Sequence, residues 1–202
     1  MLRSIAIVAS AIALSCSVAG TALHAADEDV PELSYGDLRL SGGAYADHWY
    51  DANLAIVAGN IGEKDPHATD AWADLGIVIG LQVSTARVPL SLVNDQTYKA
   101  RLSGAMLLLG LGMYLDEEDH MEFLIGYGYG RASDATVSSF GSVGTYTSYE
   151  GQVGYYHTIA QHYQVGAYIG YVLDKVKLDG DPGTFTANAG GVLLNASIGY
   201  RF

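Results

Sequence analysis

The residues of this 202-residue chain equipped for chemistry are six histidines, a set of Ser and Thr hydroxyls, and 22 acids. Acyl transfer needs a Ser hydroxyl within hydrogen-bond reach of a His, with an acid orienting that His. His157-Thr158 comes nearest. Neighbouring side chains of a strand point to opposite faces, which splits the pair, and no Ser stands two residues from His157. His48 adjoins Asp47 without a Ser in the same loop. A metal site would need three or four ligands from His, Cys or carboxylates at workable spacing. His120, His157 and His162 lack that support and read as residues beside turns. Gly126-x-Gly128-x-Gly130 superficially matches a nucleotide loop, but it sits within an alternating strand with no helix after it. The expectation is no catalytic, metal or cofactor-binding residue and no cofactor.

The elements around these residues alternate. In 192–202 one face is Val192, Leu194, Ala196, Ile198, Tyr200 and Phe202, and the other is Leu193, Asn195, Ser197, Gly199 and Arg201. That is a strand with one face in an apolar medium. The same period recurs in Leu75, Ile77, Ile79, Leu81 and Val83, and again in Ala105, Leu107, Leu109, Leu111 and Met113. It continues in Met121 to Tyr129, Tyr149 to His157 and Tyr163 to Leu173. Asp37–His48, with Leu38 and Leu40 outward and Arg39, Ser41 and Tyr45 inward, and 52–61 complete a count of eight. Hydrophobic residues make up 50% and charged ones 16%, with a mean hydropathy of +0.17. Beyond the N-terminal segment, no stretch approaches the ~20 apolar residues of a spanning helix.

The joins give a second line. If both chain ends lie on one side, the joins after the second, fourth and sixth strands lie there too, and such turns are short. Residues 116–119 and 160–161 are short and fall after strands four and six, 62–71 is less tidy, and 87–97, 133–145 and 179–187 read as longer loops on the other side. The sequence therefore predicts an all-β fold, an eight-stranded antiparallel up-and-down transmembrane β-barrel. An eight-stranded soluble lipocalin-like barrel, binding a ligand in the periplasm with its apolar face inward, is the alternative. It would place Asp74, Glu122, Glu150 and Arg201 in water.

Residues 1–25 read as a secretory signal peptide, with Arg3, an apolar core over Ile5–Leu14 and small residues to Ala26. Residues 26–35 are a short lead-in, and 36–202 the barrel. Cys16, the single cysteine, invites a lipoprotein reading, but Ala13-Leu14-Ser15 lacks the outer aliphatic residue. A formal net charge of −12 argues against nucleic acid as a partner.

Over 36–202 the chain resembles the small eight-stranded outer-membrane proteins of the OmpA, OmpX and opacity type. The resemblance rests on this architecture and on Ile198, Gly199, Tyr200 and Phe202, which match the insertion signal of such barrels. It implies a Gram-negative outer membrane, its lipids as surroundings, and assembly with barrel-assembly machinery and periplasmic chaperones. It further implies a structural or surface-interaction role, through membrane integrity or adhesion by outer loops. Some barrels of this size modify lipid A, and that is the enzymatic alternative.

Counting inward from the short-turn end of each strand, the polar faces first meet Arg39, Asp74, Glu122, Gln164 and Arg201. Two arginines facing two carboxylates predict a neutral ionic layer that plugs that end. The bland alternative is that each charge is separately solvated at an open mouth.

Overall fold

A computed structural model describes residues 35–45, 48–60, 75–91, 97–115, 118–134, 143–179 and 184–202. Eight strands, β1 (Tyr35–Tyr45), β2 (His48–Asn60), β3 (Leu75–Ser91), β4 (Thr97–Tyr114), β5 (Asp119–Asp134), β6 (Val143–Ile159), β7 (Tyr163–Asp179) and β8 (Thr184–Arg201), pair antiparallel with their neighbours in sequence. Pairing of β1 with β8, from Asp37↔Arg201 to Tyr45↔Leu193, closes the ring. The fold is an eight-stranded up-and-down transmembrane β-barrel. Where all eight strands pair, closure leaves no strand edge open, which is what backbone needs where no water is present. The segment 1–34, with the signal and most of the lead-in, lies outside the described residues, as do Ala46, Asp47 and Asp74.

The exterior carries the apolar side chains. Ile77, Ile79, Leu107, Leu109, Ile125, Ile169, Leu194 and Ile198 are between 49% and 67% exposed. A soluble lipocalin-like barrel would bury these same residues, so that alternative does not fit. Tyr127, Tyr129, Tyr149 and Tyr171 edge the band on one side, and Tyr155, Tyr163, Tyr200 and Phe202 on the other, all exposed. Two aromatic rims around an apolar belt are the exterior of a barrel in lipid.

The joins after β4 and β6 mark a tight-turn end. After β6 the chain reverses through Ala160 and Gln161, both with positive φ (50° and 69°) though neither is glycine. The opposite end departs from expectation. The strands reach into the loops expected at 87–97, 133–145 and 179–187: β3 runs on to Ser91, β5 to Asp134 and β7 to Asp179, while β6 begins at Val143 and β8 at Thr184, and residues 92–96, 135–142 and 180–183 lie outside the described residues. β4 and β8 are 18 residues long, against the 9–11 a membrane requires. The surplus carries β3 to β8 on beyond the band.

The polarity inverts in that continuation. Val88, Leu90, Ala100, Leu102, Ala132, Tyr146, Val176, Leu178 and Ala187 turn inward as one apolar cluster. Arg87, Arg101, Ser103, Arg131, Ser133, Lys175, Lys177, Thr186 and Asn188 turn outward and are exposed. These strands keep their period of two, but the face that is apolar changes where the surrounding medium changes.

Candidate functional site

At the tight-turn end the interior is a network of charges and rings. Arg39 is its centre. It projects inward from β1 and donates to Glu122 through Nη1 (2.6 Å to Oε2) and Nη2 (2.6 Å to Oε1). The same Nη2 reaches Asp37 Oδ2 at 2.6 Å. Tyr35 donates its hydroxyl to Glu122 Oε1 (2.6 Å), and Gln164 Nε2 donates to Asp37 Oδ2 (2.9 Å). From β8, Arg201 Nε donates to Asp37 Oδ1 at 3.0 Å. Asp37, Arg39, Glu122 and Gln164 are each no more than 4% exposed. A planar guanidinium bridging two carboxylates leaves both anions with short, charge-assisted partners, which groups this buried require.

Aromatic rings complete the layer. The Arg39 guanidinium lies 4.0 Å from the centre of the Tyr156 ring, and that of Arg201 4.8 Å from the Tyr35 ring. The His120 ring stacks on Tyr156 with centroids 5.3 Å apart. The rings fit because the wall behind them is bare. A Cβ at Gly154 would stand 2.6 Å from Tyr156 Cε2, and one at Gly166 or Gly59 would strike the Tyr156 or Tyr35 ring. Glycine at these strand positions is a matter of close approach.

Four of the five residues expected in this layer, Arg39, Glu122, Gln164 and Arg201, do meet there. Asp74 lies outside the described residues, and Asp37 supplies the second carboxylate. Asp37 shares the inward parity of Arg39, and it was missed because the first strand was started at Asp37 itself. Tyr35 and His120 were also missed. Tyr35 was assigned to the lead-in, and His120 to the rim, although it shares parity with Glu122 two residues on.

Higher in the barrel, Tyr168 gathers Asn53 Nδ2 (2.8 Å) and Asn195 Nδ2 (2.5 Å) on its hydroxyl. Above it a cavity of about 30 Å³ is lined by Gln82, Ser148, Glu150 and Asp174, among others. That is room for about two waters. The apolar cluster around Leu90, Leu102 and Val176 closes the interior beyond it.

Of the residues weighed for catalysis, Asp47 and the side chain of His48 lie outside the described residues, and His157 is held by neighbouring acids. His157 Nδ1 stands 2.8 Å from Asp119 Oδ1, and Nε2 faces Glu118 at 3.9 Å. Tyr155 donates to the same Asp119 oxygen at 2.6 Å. With an acid at each ring nitrogen, His157 is anchored, and Thr158 is turned to the buried face. The three turn histidines separate: His120 is inside, His157 outside, and His162 stacks on Tyr200 at 5.5 Å. Asp37, His120 and Glu122 do bring ligand atoms within 4.8 Å of one another. Arg39 and Arg201 already lie against these carboxylates, which makes the group an ion network rather than a vacant cation site.

Of the residues matching an insertion signal, Ile198, Tyr200 and Phe202 are exposed on the apolar face. Gly199 faces inward between Arg39 and Gln164. The Phe202 amide donates to Gly36 O (3.0 Å), and its ring covers Gly36, where a Cβ would stand 2.7 Å from Cε2.

No protein-family model and no curated protein sequence matches the chain. Its fold is that of the small outer-membrane barrels. The solved structures it is similar to include a major outer membrane protein from Thermus thermophilus, at 13% identity and a TM-score of 0.47. The match covers 83% of this chain and 99% of that one. Another is Ail, the attachment invasion locus protein of Yersinia pestis, at 14% identity and a TM-score of 0.40, over 83% of this chain and 95% of that one. The strand pairing and the apolar exterior, not these likenesses, carry the fold assignment.

Proposed function

We propose that this chain is a Gram-negative outer-membrane barrel with a structural and surface-interaction role, and neither a pore nor an enzyme. The observation that carries this reading is the doubly closed interior. The ion network fills one end and the apolar cluster the other, with a small polar cavity between them. Eight strands leave space that side chains can fill, so such a barrel anchors and presents rather than conducts. The tight-turn end faces the periplasm and the extended end the exterior, where short turns and longer outer segments belong. Residues 1–25 direct secretion and are removed. Chaperones and the barrel-assembly machinery then bring the chain into contact with outer-membrane lipids, with Ile198, Gly199, Tyr200 and Phe202 as the strand they read. Contact with other surfaces falls to the outer rim, so membrane integrity or adhesion is the expected phenotype.

The test is fractionation together with planar-bilayer recording. The protein is expected in the outer membrane, with a heat-dependent shift in gel mobility, and silent in bilayers. Stable openings of porin size from a verified monomer would overturn the closed interior. Recovery of the intact protein from the soluble periplasm would overturn the location.

A further inference from the structure

The chain is acidic overall, with a formal net charge of −12, yet among the described residues the outward cations are gathered in one place. Among its ten Lys and Arg, Arg39 and Arg201 belong to the interior network. Arg87, Arg101, Arg131, Lys175 and Lys177 are exposed on the outer wall of the extension. Each stands at the first or second outward position beyond the apolar band on its strand. On β3 the outward residues run Leu81, Val83, Thr85, Arg87; on β4 Leu107, Ala105, Ser103, Arg101. On β5 Arg131 follows Tyr129, and on β7 Lys175 and Lys177 follow Tyr171 and Leu173. Four strands therefore place a cation at one height, immediately above the tyrosines that edge the lipid band.

Cross-strand register strengthens the pattern. Arg87 lies directly opposite Arg101, and Arg131 and Lys177 both face Thr145 from the two sides of β6. Arginine's fork suits phosphate oxygens, and cations on neighbouring strands can share one. Among the described residues, no carboxylate forms an ion pair with Arg101, Arg131, Lys175 or Lys177. Asp179 is the exposed acid described on this part of the wall, and it accepts from Thr184 at 3.2 Å. Long basic stems over apolar surface, with their heads at the polar boundary, reach the depth at which lipid phosphates lie.

We propose that Arg87, Arg101, Arg131, Lys175 and Lys177 form a seat for the phosphate-bearing headgroups of the lipids surrounding the barrel in the outer leaflet. The proposal rests on the barrel reading given above. Bound headgroups would staple β3, β4, β5 and β7 together at the membrane boundary and fix the depth of the barrel. The site is a ring of shallow contacts on the wall rather than a pocket, which suits a lipid already held alongside by its acyl chains.

The test uses the full chain, folded in neutral detergent and titrated with diphosphorylated lipid A, with bound lipid read by native mass spectrometry. The quadruple variant Arg101→Gln, Arg131→Gln, Lys175→Gln, Lys177→Gln is expected to lose affinity by about tenfold or more, since each basic residue near a charged lipid surface adds to binding. Its heat-dependent gel shift should persist, because these side chains project away from the core. The charge-preserving pair Arg101→Lys, Arg131→Lys should retain most of the binding. Equal binding by wild type and a quadruple variant that still shifts on heating would overturn the seat. Competition by millimolar inorganic phosphate as effective as that by lipid A would make it a free-phosphate site. Tighter binding of a sulfated polysaccharide than of lipid A would make it a dock for a soluble polyanion. Either result rejects the lipid assignment. A wild-type chain without the heat shift would instead contradict the barrel reading itself. If only the quadruple variant fails to fold, Arg131→Gln and Lys175→Gln singly carry the same comparison, and unchanged binding by both overturns the proposal.

Discussion

The two ends of this barrel solve burial in opposite ways. At the tight-turn end, Arg39, Asp37, Glu122 and Arg201 are inside and Ile198, Tyr200 and Phe202 outside. At the extended end, Leu90, Leu102 and Val176 are inside and Arg87, Arg101 and Lys175 outside. Backbone pairing is continuous through both, as in Ser91↔Thr97 to Leu75↔Met113 along one hairpin. The difference lies in the medium. Where lipid surrounds the wall, apolar side chains gain nothing by turning inward, and polar ones must find partners inside. Where water surrounds it, the hydrophobic effect returns and the faces exchange roles.

The largest expected effect comes from breaking the polar end. Replacing Glu122 by Gln leaves Arg39 and Arg201 to share the single carboxylate of Asp37 in the interior, and should cost about 3–5 kcal/mol in urea unfolding. Arg39→Gln should cost as much, and the double variant less than the sum of the two. Small, additive losses would mean that the charges are separately hydrated, leaving no structural plug. Next comes the exterior. Leu109→Lys, in the middle of the apolar band on β4, should cost about 2–4 kcal/mol. Val143→Lys, on the outward face of the extension opposite Asp179, should stay within about 0.5 kcal/mol. Equal costs at the two positions would erase the difference between the ends.

Reading the sequence by alternation found the lipid-spanning part, because there the apolar face is outward on every strand. The method failed above the band for a physical reason. Ser133, Thr145, Thr147, Thr186 and Asn188 look like loop residues, and the inward partners that make them strand, such as Ala132, Tyr146 and Ala187, sit on the face that had been polar. A period of two survives such an inversion, but a rule that follows the apolar face does not. The ionic layer was legible from parity and balance of charge. Asp37 was overlooked because it opens the expected first strand, and Asp74 lies outside the described residues. The rings on Arg39 and Arg201 became evident only with the register, which shows which glycines leave room for them.

The smallest expected effect lies at the β6–β7 turn. Ala160 and Gln161 both hold positive φ without being glycine. Asn at 160 and Gly at 161 suit that backbone better, and the pair should raise stability by about 0.5–1 kcal/mol, read as a higher urea midpoint. A lower midpoint would show that these side chains do more than make the turn.

The most direct test of the account follows the outward face of β4 through the boundary. With the signal segment 1–25, and with it Cys16, removed, single cysteine-anchored spin labels at 101, 103, 105, 107, 109 and 111 in reconstituted bilayers report whether each site meets oxygen in lipid or a water-soluble nickel chelate. The account predicts oxygen-dominated relaxation at 105–111 and chelate-dominated relaxation at 101 and 103, with the change between Ala105 and Ser103. Chelate access along the whole strand, or oxygen dominance continuing through Arg101, would contradict it.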